Sequence, residues 1–133
     1  MADTINLGKG AKSFEELRVF QSARSLCNEI WKMTRSAPAS KDFAFTNQSR
    51  RAAMSILSNI AEGFERNSRK EFAQFLSIAK GSCGEVRAQL LLALDQGYIP
   101  DRLHKQLQTS CIELSRGIAK LAEYLREHPR ISR

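Results

Sequence analysis

The chain of 133 residues is long enough to bury one hydrophobic core, and its 42% hydrophobic and 26% charged residues are ordinary for a globular domain. The 21 Lys and Arg residues exceed the 14 Asp and Glu residues, so the net charge is +7, which favours a polyanion or an acidic protein as partner. This composition excludes an intrinsically disordered chain, and the sequence has no apolar run long enough to span a membrane.

The opening stretch MADTINLGKGAK has no apolar segment of the kind that a Sec signal needs. Three cysteines, Cys27, Cys83 and Cys111, are odd in number, far apart and outside any CxxC motif, so they do not form a disulfide framework. Each lies on or beside an apolar stripe, where a free cysteine behaves as a small hydrophobic residue. We therefore expect a cytoplasmic protein with reduced thiols.

The first predicted helix begins at a capping box formed by Ser13 and Glu16. Apolar residues then recur with helical spacing at Val19, Ala23, Leu26, Ile30 and Met33. The helix is predicted to run to about Arg35, where the stretch SAPASKD, with Pro38, is typical of a loop.

The second helix is predicted to begin near Thr46 or Asn47 and to end at Gly63, because glycine is common just beyond a helix C-terminus. Its predicted core face consists of Ala53, Ile56, Leu57 and Ile60.

The third helix opens with a second capping box, Ser68 and Glu71, and is predicted to end at Gly97. Pro100 and Asp101 suit the first turn of a fourth helix, since proline is tolerated there and an acidic residue favours the N-terminal dipole. Both helices have a continuous apolar stripe: Phe72, Phe75, Leu76, Ala79, Cys83, Val86, Leu90 and Leu94 in the third, and Leu103, Leu107, Cys111, Leu114, Ile118, Leu121 and Leu125 in the fourth.

No segment shows the alternation that is typical of a strand. Four amphipathic helices with short connections predict an all-α fold, an antiparallel up-down-up-down four-helix bundle. We place the bundle at residues 13–128, between a disordered tail at 1–12 and a flexible tail at 129–133.

Three stretches of the chain resemble one known family. They are FEELRVFQSA, then QSRRAAMSILSNIAEGFERNSRKEFAQFLSIAKGSCGEV, and the turn QGYI. Together they are similar to the four-helix bundle family named after the 23S rRNA intervening sequence. The residues that match its pattern are Gln48, Arg50, Arg51, Ser55, Asn59, Ile60, Glu62, Gly63, Ser68, Glu71, Phe72, Ser82 and Glu85. SAPASKD departs from the pattern, because it lacks the acidic residue that usually follows the loop proline.

The resemblance implies a small bacterial bundle that forms homo-oligomers, often pentamers, and has no established enzymatic activity. Similar bundles are accessory partners of a reverse transcriptase. We therefore expect a homo-oligomer and consider a nucleic-acid enzyme as a further partner.

A row of polar residues follows one face of the second helix: Gln48, Arg51, Ser55, Asn59 and Glu62. It is either a solvated face or a packing surface, within the helix pair or between subunits. Its short Gln, Ser and Asn side chains favour packing, since they can bond an adjacent helix with little loss of conformational entropy.

Antiparallel pairing of the second and third helices places Arg51 near Ser82 or Glu85. We predict an ion pair between Arg51 and Glu85. The neighbouring Gly81 and Gly84 are expected to allow a close approach of the two helices. The same alignment places Glu62 near the start of the third helix.

Several apolar residues lie off the main stripes: Phe20, Trp31, Ile78, Leu91 and Leu92. Scattered exposed apolar residues are normal, whereas a contiguous patch indicates association. Because two helices show this feature, we interpret these residues as candidate subunit contacts.

The candidate nucleic-acid-binding residues are Arg66, Arg69, Lys70, Lys80 and Arg87. Glu65 and Glu71 are interspersed among them, so a solvated end of mixed charge is the alternative. The chain has no aromatic RNA-binding motif, and any binding is expected to be to the nucleic-acid backbone.

Catalysis has little support in the sequence. His104 and His128 are isolated, and no Walker spacing or paired Glu-x-x-His motif is present. We expect no enzyme, cofactor or metal. Two hypotheses follow: a basic homo-oligomeric bundle that binds RNA or a nucleic-acid complex, or a protein-interaction scaffold for a nucleic-acid enzyme such as a reverse transcriptase.

Overall fold

The computed structural model describes residues 10–129. Within them the chain forms four α-helices and no strand: α1 (Arg18–Arg35), α2 (Phe43–Glu65), α3 (Arg69–Asp95) and α4 (Asp101–Glu127). Short 3₁₀ turns at Phe14–Glu16 and Ala39–Lys41 precede α1 and α2. The predicted all-α four-helix bundle is confirmed. The predicted tails lie outside the described residues, apart from residues 10–12 and 129.

Residues near the end of one helix contact residues near the start of the neighbouring helix, as an antiparallel bundle requires. Cys27 Sγ of α1 donates a hydrogen bond to the carbonyl of Ala53 in α2, at 3.1 Å. The end of α2 approaches the start of α3, and Arg126 near the end of α4 bonds Ser77 in the first half of α3. The core between the helices consists of aliphatic side chains, the largest of which are Leu17, Ile30, Ile56, Ile60, Leu76, Leu90, Ile118, Leu121 and Leu125.

The start of α1 differs from the prediction. Ser13 precedes the 3₁₀ turn Phe14–Glu16, and its side chain makes no capping hydrogen bond. Leu17 then adopts an extended conformation and is fully buried, so α1 begins only at Arg18. Burial of the Leu17 side chain in the core, which the local capping pattern does not reveal, determines this break.

The start of α2 lies three residues before the predicted Thr46. Asp42 is the N-cap, and its Oδ1 accepts a hydrogen bond from the backbone N–H of Phe45 at 3.1 Å. Its Oδ2 accepts a second hydrogen bond from the hydroxyl of Tyr98, at 2.5 Å. The carboxylate of Asp42 therefore joins the start of α2 to the loop between α3 and α4.

The predicted end of α2 at Gly63 is also wrong, because the helix continues to Glu65. Gly63 has a different role. A Cβ at this position would lie 2.8 Å from Phe75 Cβ and 2.9 Å from Phe72 Cδ1. The missing side chain thus allows α2 and α3 to approach each other closely.

The ends of α3 match their sequence signals more closely. Ser68 Oγ accepts a hydrogen bond from the backbone N–H of Glu71 at 3.0 Å, so the predicted N-cap at Ser68 is confirmed. Helix α3 ends at Asp95, and Gly97 follows with a positive φ of 75°. Pro100 is the N-cap of the fourth helix, which begins at Asp101, so the predicted start is confirmed to within one residue.

Gly81 and Gly84 do not provide the close helix approach that we expected. Both are exposed, and a Cβ at either position would have no neighbour within 4 Å. The close contact between α2 and α3 is therefore at Gly63, near their connecting turn.

These glycines predict opposite effects of the same substitution. Gly63→Ala should lower the free energy of unfolding by about 1–3 kcal/mol, because the methyl group would overlap Phe72 and Phe75. Gly84→Ala should raise it by about 1 kcal/mol, because alanine is the better helix former and the space is open. Urea unfolding measures both changes, and a stabilised Gly63→Ala variant would contradict the packing described.

Candidate nucleic-acid interface

The middle of the polar row on α2 is bonded to α3. Ser82 Oγ, on the buried side of α3, donates a hydrogen bond to Ser55 Oγ at 2.8 Å. Asn59 Nδ2 donates to the same Ser55 Oγ at 3.1 Å and to the Ser55 carbonyl at 2.8 Å. These three candidate residues thus form a polar connection within the α2–α3 pair.

The rest of the row is exposed. Gln48, Arg51 and Glu85 make no hydrogen bond or ion pair to any residue within 10–129, so the predicted Arg51–Glu85 ion pair is not formed. Arg51 and Glu85 lie one helical turn from the hydrogen-bonded Ser55 and Ser82, respectively. Both charged side chains are exposed to solvent, where an ion pair contributes little to stability. Glu62 instead binds Arg66, four residues on, at 2.8 Å.

Two of the basic candidates, Arg66 and Arg69 at the α2–α3 turn, are engaged in contacts within the chain. The guanidinium of Arg66 lies between Glu62 and Glu71, at 2.8 and 3.7 Å, and over the ring of Phe75 at 4.8 Å. Arg69 donates to the carbonyl of His128 at 3.0 Å and lies 5.7 Å from the ring centroid of Tyr124.

Three other basic candidates are free of such contacts. Lys70, Lys80 and Arg87 are exposed on α3, and none makes an ion pair within the described residues. Lys80 lines a shallow groove between α3 and α4 together with Glu123 and Glu127, so carboxylates are close to it as well.

The apolar candidates divide into two groups. Phe20 is only 8% exposed and packs on Phe14 with ring centroids 4.7 Å apart, which corrects its assignment to the surface. Phe20 lies seven residues before Cys27, which bonds Ala53 of α2, so both residues are on the side of α1 that faces α2. Ile78, Leu91 and Leu92 on α3 are 54%, 49% and 43% exposed, respectively.

Trp31, the fifth apolar candidate, belongs to a surface that the sequence analysis did not identify. It is half-buried, and the guanidinium of Arg50 from α2 lies 4.8 Å from its ring centroid. Arg50 Nε also donates a hydrogen bond to Thr34 Oγ1 at 2.9 Å. Arg50 is therefore held in place by both an aromatic ring and a hydroxyl of α1.

The residues around this contact recur with helical spacing on both helices. On α2, residues spaced by four, three and four positions lie on one side of the helix: Phe43, Asn47, Arg50 and Met54. On α1, residues spaced by seven and four positions do the same: Arg24, Trp31 and Arg35. We call these seven residues the Trp31 face. Phe43 is 77% exposed and Met54 is 44% exposed. Steps of four and seven residues from Trp31 would have revealed the α1 half in the sequence, but its pairing with Arg50 depends on tertiary structure.

The Trp31 face lies in the most basic part of the chain. Between residues 17 and 61 the sequence has seven Lys and Arg residues and only two carboxylates, Glu29 and Asp42. Glu29 lines the groove between α1 and α4, on another side of α1, and Asp42 is bonded to Phe45 and Tyr98. Within the part of the chain that the structure describes, no carboxylate therefore forms an ion pair with the arginines of the Trp31 face, in contrast to Arg66.

The three cysteine thiols of the core are kept neutral by burial. Burial raises the pKa of Cys27 to about 11 and the pKa values of Cys83 and Cys111 to about 12. All three thiols are free and buried, as predicted, and at neutral pH they are protonated and unreactive. Within residues 10–129, no three His, Cys, Asp or Glu side chains lie close enough together to form a metal site. Nor is any helix in this range long and apolar enough to cross a membrane.

Comparison with known proteins agrees with the arrangement of the four helices. The model of the family described as 23S rRNA-intervening sequence protein matches residues 15–120, from the first 3₁₀ turn into α4. The chain belongs to the 23S rRNA-intervening sequence protein family.

The family assignment is accompanied by structural similarity. A crystal structure of a protein of unknown function from the S23 ribosomal protein family of Bacteroides thetaiotaomicron superposes with a TM-score of 0.73. The superposition covers 79% of this chain and 95% of that chain, at 22% identity, and it shows a shared fold. No curated protein matches the chain.

The Asp42–Tyr98 contact, which fixes the start of α2 beside Phe43, predicts a pH-dependent stability. The hydrogen bond from Tyr98 is the main cause that lowers the pKa of Asp42 below 3.8, and the same bond raises the pKa of Tyr98 above 10.0. The contribution of this hydrogen bond to the free energy of unfolding should be complete between pH values of about 3.8 and 10.0. It should be lost as Asp42 is protonated at acid pH, and also as Tyr98 ionises at alkaline pH.

Tyr98→Phe should therefore lower the Tm at neutral pH, and the difference from the wild type should shrink at about pH 3. Tyr124→Phe is the matched control, because the Tyr124 hydroxyl makes no hydrogen bond within the described residues. Equal Tm values for the wild type and Tyr98→Phe at neutral pH would contradict a stabilising contact.

Proposed function

We propose that this protein is a non-enzymatic, basic helical bundle that binds RNA or a nucleic-acid complex through contacts to the phosphate backbone. One observation supports this function above all: the arginines of the Trp31 face have no carboxylate partner within residues 10–129, whereas Arg66 at the α2–α3 turn is paired with Glu62 and Glu71. Unpaired arginines on one face attract a polyanion and release its counterions on binding.

The shape of the bundle suits backbone recognition. The Trp31 face spans two antiparallel helices, and Arg24 and Arg35 are separated by three helical turns along α1, about 16 Å. Such a row can follow a phosphate backbone without entering a groove to read bases. We place the protein in the cytoplasm, where its free buried thiols stay reduced.

Fluorescence anisotropy with a labelled RNA hairpin tests this function. Affinity should fall roughly 10-fold or more between about 50 and 200 mM salt, because each phosphate contact releases counterions. Arg24→Gln/Arg35→Gln should weaken binding and reduce the slope of log K against log salt by up to about 2. No binding at the lower salt concentration would refute the proposal.

The matched control removes the same charge from another face. Lys80→Gln/Arg87→Gln changes two exposed basic residues of α3 and should affect affinity much less. A larger loss of affinity in Lys80→Gln/Arg87→Gln than in Arg24→Gln/Arg35→Gln would indicate that the RNA binds to α3 instead.

We further propose that the chain forms a homo-oligomer, with a pentamer as the form that the family resemblance suggests, through the outer face of α3. Ile78 and Leu92 lie on one side of this helix, with the small Gly81 and Ala88 exposed between them. Apolar and small residues on a helix face allow another subunit to pack closely and bury apolar area.

Multi-angle light scattering tests self-association. The wild type should have a mass several times the 15.0 kDa of one chain, and Ile78→Glu/Leu92→Glu should reduce it towards that value. Met54→Glu, at a similarly exposed apolar position on the Trp31 face, should leave the mass unchanged. A wild-type monomer at high protein concentration would exclude the homo-oligomer.

The second candidate is a protein-interaction scaffold for a nucleic-acid enzyme such as a reverse transcriptase. The same exposed α3 residues support it, since they could contact a different protein. A wild-type monomer whose RNA affinity is negligible would favour this candidate over the first.

A further inference from the structure

Phe43 is the most exposed of the large apolar side chains in the described chain, at 77%. It occupies the first position of α2, immediately after the N-cap Asp42. Asp42 is bonded both to the backbone of α2 and to Tyr98, and Thr46 Oγ1 donates to the carbonyl of Ala39 at 3.0 Å. The backbone that presents the Phe43 ring to solvent is therefore held at several points.

The residues next to Phe43 on the same side of α2 are polar groups that can bind a nucleotide. Asn47, one turn further, has an exposed side-chain amide that can both donate and accept hydrogen bonds. Arg50 lies a second turn further, and its Nε donates a hydrogen bond to Thr34 Oγ1. Its two terminal nitrogens make no hydrogen bond within the described residues. The central carbon of that guanidinium lies 4.8 Å from the ring centroid of Trp31.

From this arrangement we infer that the Trp31 face binds unpaired nucleotides, with a base stacked on Phe43 and the phosphates on Arg24, Arg35 and Arg50. An exposed aromatic ring can stack only on a base whose face is open, and in a duplex these faces are covered by neighbouring base pairs. The inference rests on the proposed function, and adds to it that single-stranded RNA is preferred over a duplex.

The chain offers a spectroscopic test, because Trp31 is the single tryptophan. Binding of an unlabelled oligouridylate at the Trp31 face should change the tryptophan emission, since a nucleotide bound to Arg50 lies beside the indole. Anisotropy with a labelled oligouridylate and with an RNA duplex of equal length then compares the two forms, and the oligouridylate should bind more tightly.

Phe43→Leu separates stacking from charge. It retains an apolar residue and the net charge, and should weaken oligouridylate binding by about 5-fold or more, as loss of one stacked base predicts. Its affinity for the duplex should stay within about 2-fold. Leu91→Met, at an exposed apolar position on α3 outside the Trp31 face, is the matched control and should leave both affinities unchanged. Circular dichroism confirms that each variant is folded.

The outcomes distinguish this inference from the proposed function. Absence of binding to either RNA would refute both. Equal affinity for the two RNAs, with no effect of Phe43→Leu, would overturn the inference while leaving backbone binding in place. Oligouridylate binding without a change in Trp31 emission would also overturn it, because the strand would then be bound elsewhere.

Discussion

The close approach of α2 and α3 at Gly63 is the constraint on which the bundle depends most. The two phenylalanines that would meet a Cβ at this position, Phe72 and Phe75, are both on the first two turns of α3. Their packing fixes how α3 leaves the connecting turn, and with it the alignment of the two helices. Further along, the Ser55–Ser82 hydrogen bond keeps the same alignment at mid-length. A pair of helices joined in this way provides a rigid surface against which α1 and α4 pack.

This alignment also determines which charges are available to a partner. At the turn, Arg66 is brought between Glu62 and Glu71, so its charge is largely used within the chain. On the other side of α2, Arg50 meets an aromatic ring and a hydroxyl of α1 rather than a carboxylate. Such contacts position a guanidinium without neutralising it. The same fold therefore pairs Arg66 with two carboxylates and leaves the arginines of the Trp31 face without a carboxylate partner among the described residues.

The candidate site could be predicted only in part, for reasons that particular residues make clear. The N-cap at Ser68 was predicted correctly, because a cap is a local interaction between residues three apart. The one at Ser13 was not, since burial of Leu17 in the core outweighs a local hydrogen bond. Trp31 was recognised as lying off the stripe of α1. Its partner Arg50 was not assigned to a site, because no spacing along one helix shows which residues of the next helix it faces.

By itself, the sequence determined the four helices, the class of fold, the family and the burial of the three cysteines. These features follow from the period of apolar residues and from motifs, and both are properties of neighbouring positions along the chain. Tertiary structure alone decided that Gly63 is a contact rather than a helix end, that Arg51 and Glu85 stay apart, and that Phe20 is buried. It also decided which arginines face carboxylates and which do not. Pairing of charges depends on distances of a few ångströms between different helices, and only the packed core sets those distances.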